Sequence, residues 1–304
     1  VRRSALAAAG VAAALALTLA ACGSSSHGSP MPGMDPAAMP SASSPSSSAA
    51  SPTPSTSDMP GMGTMPGGNG LSDTQAGYRL TSTDATLAAG KTAAYRFTVT
   101  EPDARPVTAF AVDQTKRLHF YAVRSDLTGF QHIHPVMDNS GTWTADLAAL
   151  TSGSWRMFAT FTPDSGSGKG TALVLSRTVT VPGTATQAPL PAAASSAQAD
   201  GYTATVKGDL MAGMEHPLTV TITKAGKPVT DLQPYLDTYA HLTAFHEGDT
   251  AFAHLHPTTT VNGDHGGPEL SFHAALPTSG NWRLFLQFQT GGKPHTAALT
   301  LHVG

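Results

Sequence analysis

The spacing H-x12-H-x-H occurs twice in this chain and marks the residues best suited to chemistry. His119, His132 and His134 are the only histidines between Leu71 and Gly183, and Pro135 follows them. The same spacing returns 122 residues later as His241, His254 and His256, followed by Pro257. Imidazole is a borderline-soft nitrogen ligand suited to copper and zinc, and three converging rings hold either ion. The pattern predicts a duplicated metal site with these six histidines as ligands.

A second ligand type sits upstream. Six of the ten methionines lie between residues 31 and 65: Met31 and Met34 in M-P-G-M, Met59, Met62 and Met65 in M-P-G-M-G-T-M, and Met39 between the two clusters. Thioether sulfur is soft and favours Cu(I), so copper is the favoured ion and zinc the alternative. Met211, Met214 and His216 form a third such cluster near an expected turn. His265, in a loop shortly after the second triad, is the candidate fourth ligand.

Positioning these rings falls to strands. Tyr95, Phe97 and Val99 alternate with Arg96, Thr98 and Thr100, and Leu218, Val220 and Ile222 alternate with threonines. Such period-2 patterning, broken at short intervals by Gly, Pro, Asp and Ser, predicts an antiparallel sandwich. Residues i and i+2 of a strand share a face, so His132 and His134 point one way, as do His254 and His256. Leu118, Phe120 and Ala122 form the core set of the preceding strand and turn His119 outward; Leu242 and Ala244 do the same for His241. A two- or four-residue hairpin loop keeps all three rings on one face, whereas a three-residue loop separates them.

The chain is a duplication. Pro106-Val107-Thr108 matches Pro228-Val229-Thr230, and Trp155-Arg156-x-Phe158-x-x-Phe161 matches Trp282-Arg283-x-Phe285-x-x-Phe288. The offset grows from 122 to 127 after the histidines, which puts about five extra residues in the loop around Asn262 to Pro268. The expected organisation is all-β: two tandem Ig-like sandwiches, residues 71–183 and 200–304, joined by a linker over 184–199. The alternate faces Trp155, Met157, Ala159, Phe161 and Trp282, Leu284, Leu286, Phe288 are the expected cores, with both arginines turned away. Residues 23–70, rich in Ser, Pro, Gly and Met, carry too little apolar bulk to offset chain entropy and read as a disordered tether.

Composition narrows the function. Cys22 is the only cysteine, so an internal disulfide is impossible. A net charge of -3 with 12% charged residues lacks the basic patch that nucleic acid requires. No nucleophile–base pair or phosphate loop stands out, and a non-enzymatic protein is expected.

Arg2 and Arg3 precede an apolar run ending Leu19-Ala20-Ala21-Cys22, which resembles the lipobox of bacterial lipoproteins. The resemblance implies a signal peptide over residues 1–22, cleavage before Cys22, lipidation of its thiol and an extracytoplasmic, membrane-anchored location. Tyr239-Ala240-His241-Leu242 through His254-Leu255-His256-Pro257, closing with Trp282-Arg283-Leu284-Phe285-Leu286-Gln287-Phe288, resembles an uncharacterised family of exported bacterial lipoproteins with tandem Ig-like domains. That family is similar in setting to periplasmic copper- and heavy-metal-handling proteins. It implies metal buffering, delivery or resistance, with a metal-accepting envelope protein as partner. The alternative is a metal-free cell-surface module of two Ig-like domains. His265-Gly266-Gly267-Pro268 after an H-x-H is similar to copper–zinc superoxide dismutase, but the chain departs from it in having no disulfide, a short spacing and no clear zinc subsite.

Overall fold

The computed structural model describes residues 67–304. Cys22 and the methionines Met31, Met34, Met39, Met59, Met62 and Met65 lie outside the described residues, as do the expected signal peptide and most of the tether. Among the described residues no helix is long and apolar enough to cross a membrane.

The first repeat contains β1 (Thr74–Gln75), β2 (Tyr78–Thr81), β3 (Ala93–Thr100), β4 (Leu118–Arg124), β5 (Phe130–Ile133), β6 (Val136–Met137), β7 (Thr142–Leu147), β8 (Gly153–Phe161) and β9 (Leu173–Val181). The second contains β10 (Ser196–Ala199), β11 (Tyr202–Lys207), β12 (Glu215–Lys224), β13 (Lys227–Pro228), β14 (Ala240–His246), β15 (Phe252–Pro257), β16 (Glu269–Ala275), β17 (Gly280–Thr290) and β18 (Lys293–Val303). All named pairings are antiparallel, and the fold is a tandem pair of Ig-like sandwiches. In the first repeat, sheet β1-β2-β3-β7-β6 faces sheet β5-β4-β8-β9. In the second, β15 also pairs β16 at His256 and His273, which joins the two layers into one continuous sheet.

The period-2 reading explains the cores. Trp155, Met157, Ala159 and Phe161 pack with Tyr95, Phe97 and Phe120 in one cluster; Trp282, Leu284, Leu286 and Phe288 pack with Leu218, Val220 and Ile222 in another. Each large apolar side chain buried in this way contributes roughly 1.5–3 kcal/mol. Both indoles are satisfied identically: Trp155 Nε1 donates to Thr151 O at 2.8 Å and Trp282 Nε1 to Thr278 O at 3.0 Å.

A third cluster joins the repeats. The face of β4 and β8 that looks away from its own core carries Tyr121, Val123 and Phe158, and it packs on Phe245, Phe252 and Phe285 of the second repeat. Phe130 stacks on Phe285 with ring centroids 4.1 Å apart, and Phe252 lies 5.8 Å from Phe158. These are equivalent pairs with the repeats exchanged, so the two β-sheets meet about an approximate two-fold. Arg156, turned away from its core as expected, reaches across to Thr250 Oγ1 at 3.0 Å.

Candidate metal centre

The outward face that sequence predicts for the histidines is a buried seam. In the first repeat Tyr121 pairs His132 and Phe120 pairs Ile133, a register that sets His119 opposite His134. In the second Thr243 pairs His254 and Leu242 pairs Leu255, setting His241 opposite His256. Both hairpins therefore use the four-residue loop, and each triad shares one face. Because the other repeat covers that face, His119 is 4% exposed and His241 only 1%. The location was not expected: outward from one core means inward against the neighbouring domain.

His119, His132 and His134 converge. One ring nitrogen from each lies within 4.8 Å of the others, the one such group among the described residues. Their ring centroids are 5.3, 5.1 and 4.7 Å apart. Tyr121 stacks on His132 at 4.4 Å and 21°, which holds that ring toward its partners.

Hydrogen bonds fix which nitrogens are free. His119 Nε2 lies 3.1 Å from the carbonyl oxygen of Asp113 and donates to it, so its Nδ1 is bare in the neutral ring. His132 Nδ1 lies 2.7 Å from Gln287 Oε1 and donates to it, leaving Nε2 bare. The two bare atoms face one another at 3.1 Å. His134 Nε2 is buried with no partner. Two ligands on a tetrahedral ion with bonds of 2.0–2.1 Å stand about 3.3 Å apart, so the pair is spaced for a shared cation.

The electrostatics suit ligands. Burial, reinforced by His119, His134 and His241, holds His132 well below the ordinary imidazole range. Burial brings His134 down to about 3 and His241 down to about 4, and it also lowers His119. All are neutral near pH 7, the form a metal needs. A cleft of about 480 Å³ lined by Phe130, His132, Phe285 and Gln287 reaches the His132–Gln287 pair.

The second triad does not close in the same way. His254 and His256 have ring centroids 5.0 Å apart, but His241 Nε2 donates to Tyr235 O at 2.9 Å and its ring lies 6.1 Å from His132 of the other repeat. The equivalent of Tyr121 is Thr243, which offers no ring to stack on His254. The equivalent of Gln287 on β8 is Thr160, too short to reproduce the bond to His132. His254 Nε2 and His256 Nε2 are buried without partners, and burial is the main cause that lowers both rings. His265 is exposed on its loop and is not one of the converging group. Met211 and Met214 are exposed, while His216 Nε2 is buried without a partner.

Three contributors were invisible in the sequence. Asp113 and Tyr235 act through backbone carbonyls, in equivalent turns whose central residues, Gln114–Thr115 and Leu236–Asp237, all have positive φ. Non-glycine residues adopt that region uncommonly, and finding four at matched positions marks the turn as a device kept in both repeats. The third is Gln287, which serves the other domain. Its glutamine-for-threonine difference from Thr160 is legible, but its meaning requires the docking of the repeats.

Among solved structures, the chain is similar to the Escherichia coli adhesin FdeC at 14% identity and a TM-score of 0.24, over 75% of this chain and 64% of that one. It therefore spans less than two thirds of that structure's length. It is also similar to domains 4 and 5 of the S-layer protein SbsC at 10% identity and a TM-score of 0.20, over 74% and 96%. The tandem Ig repeats of Dlar are similar at 8% identity and a TM-score of 0.21, over 75% and 97%. No curated protein matches the chain in sequence. One family model matches twice, over residues 73–181 and 197–304, once on each repeat; the chain belongs to the family described as Domain of unknown function (DUF8832).

Proposed function

We propose that the protein is a lipid-anchored, extracytoplasmic metal-binding protein that holds copper, or in its place zinc, for buffering, delivery or resistance. The observation that carries this reading is the 3.1 Å approach of His119 Nδ1 and His132 Nε2, both bare once their other nitrogens have donated. In that tautomer two lone pairs face one another, and a cation between them relieves the repulsion. A shared proton is disfavoured, because burial lowers both rings. His119, His132 and His134 are the primary ligands, with His241 facing them from the second repeat and His254 and His256 as a separate pair. No catalytic step is assigned. The lipobox ending in Cys22 supports the anchor, and the methionine clusters support copper over zinc. A metal-accepting envelope protein is the expected partner.

The test is the metal content of the full chain after loading with Cu(II) or Zn(II) and desalting. Wild type retains at least one ion, and His134→Ala loses it. A protein that retains none refutes the reading.

The rival is a metal-free surface-interaction module of two Ig-like domains. Its support is the aromatic seam, which already holds the repeats together through Phe130, Phe158, Phe252 and Phe285 without an ion.

A further inference from the structure

The second triad does not close, yet two of its rings are buried at a cost. His254 is 7% and His256 5% exposed, and the Nε2 of each has no hydrogen-bond partner. An unpaired buried imidazole nitrogen bears its desolvation cost without return. Two in succession on one strand are better matched to a visiting ion than to packing.

The outer end of this pair reaches solvent. β15 joins β16 through the direct pairing of His256 with His273. Residues so opposed share a face, with Cβ atoms about 4.5–5.5 Å apart. The His273 side chain is 41% exposed, and its Nδ1 donates to Glu215 Oε1 at 2.9 Å. The neutral ring therefore keeps Nε2 bare, held by a carboxylate as metal-binding histidines commonly are. Glu215 also places an anion at this exposed edge. In the first repeat the two sheets are separate, and the position 127 residues before His273 is Asp146.

The inner end reaches the seam. His256 and His254 lie on one face of β15 with ring centroids 5.0 Å apart. His254 then borders a cavity of about 20 Å³ shared with His119 and Thr160 of the first repeat, large enough for one water or ion. His119 belongs to the converging cluster. Imidazoles thus line the way from solvent at His273, through His256 and His254, to His119. With bonds of 2.0–2.1 Å, one ion can hold two nitrogens up to about 4.2 Å apart. Rings turning at this spacing can pass it on before the last bond is lost. A cation crossing a dry seam without such ligands would meet a large desolvation penalty.

We propose that His273, His256 and His254 are successive transient ligands along which Cu(II) or Zn(II) passes between solvent and the His119–His132–His134 cluster, with Glu215 orienting the outermost ring. A line made only of imidazole nitrogens suits those two ions. The open second triad is then a conduit, its rings spaced for exchange rather than capture. The inference rests on the metal-binding reading above, but it concerns rates, whereas that reading concerns what is retained.

The experiment is stopped-flow uptake of Zn(II) by the metal-free full chain, paired with release to a chromophoric chelator. His273→Gln, a surface change, should slow uptake and release by the same factor, at least about tenfold, with stoichiometry and equilibrium affinity unchanged. His256→Gln should slow both steps as well. His302→Gln, at an exposed histidine off this line, should leave both rates as in wild type. Uptake at the wild-type rate in His273→Gln overturns the inference, as does equal slowing by His302→Gln. Lower affinity in His273→Gln at an unchanged uptake rate also overturns it, because His273 would then be a ligand of the final site. Failure of the wild-type chain to retain Zn(II) rejects the centre itself and not merely its route.

Discussion

His132 of the first repeat and Gln287 of the second are joined at 2.7 Å across the domain seam, Nδ1 to Oε1. That bond selects the tautomer in which His132 presents a bare Nε2 to His119. The histidine cluster of one repeat is thereby oriented by a residue of the other, and the repeats, though copies, are not equivalent.

Gln287 variants test that relationship. Groups that orient a metal-ligating histidine are worth 10–100-fold in affinity. Gln287→Leu should therefore weaken Cu(II) or Zn(II) binding by about that factor. Gln287→Glu, whose carboxylate only accepts, should keep wild-type affinity or exceed it. Competition titration decides the matter. Were the site metal-free, a turned amide would run a closed chain from Gln287 through His132 and His119 to Asp113 O, and Gln287→Glu would then lower stability instead.

Tyr121 distinguishes the converging triad from the open one. Tyr121→Thr installs the residue that stands at the equivalent position 243 and removes the ring stacked on His132. Affinity should fall about tenfold or more while far-UV circular dichroism stays unchanged. Unchanged affinity would mean that the stacking does not position His132.

Acid should destabilise the metal-free protein through the buried histidines. His241 ionises near 6.5 when unfolded and is held down to about 4 by burial in the fold. Between those values the unfolded chain takes up a proton that the fold refuses, so stability is full above about pH 6.5 and falls as the pH drops toward 4. At 1.36 kcal/mol per unit, His241 alone accounts for roughly 3 kcal/mol. Denaturant midpoints measured from pH 7.5 to 4 should decline across that window, and a flat profile would contradict the burial.

The seam itself should carry stability. Phe285 is 4% exposed and stacks on Phe130. Phe285→Ala should cost about 3–5 kcal/mol, as truncation of a buried phenylalanine does. Because Phe285 belongs to the second repeat and Phe130 to the first, unfolding should also separate into two transitions. A single transition of unchanged midpoint would show that the repeats do not depend on this contact.

Much of this arrangement was legible in the residues. The alternation in β3 and β12 gave the strands, the Trp-bearing motifs gave the core faces, and loop parity limited the registers to two. The side of β4 carrying His119 was also correct. What covers that side was not, because the docking of one repeat on another depends on contacts far apart in sequence. A signal existed: Tyr121, Val123 and Phe158 are large apolar residues on a face read as outward. The convergence of only one triad turns on Tyr121 against Thr243 and Gln287 against Thr160, differences without meaning until strand neighbours are known. The carbonyls of Asp113 and Tyr235 left no trace in residue type, since any residue supplies one.

The most direct test of the central claim is X-ray absorption at the metal edge of the Zn(II)-loaded full chain, compared with His132→Ala. Three or more imidazole nitrogens at about 2.0–2.1 Å in wild type, with loss of stoichiometric zinc in the variant, is the predicted result. Zinc surrounded by oxygen alone, or retained undiminished by His132→Ala, would contradict the account.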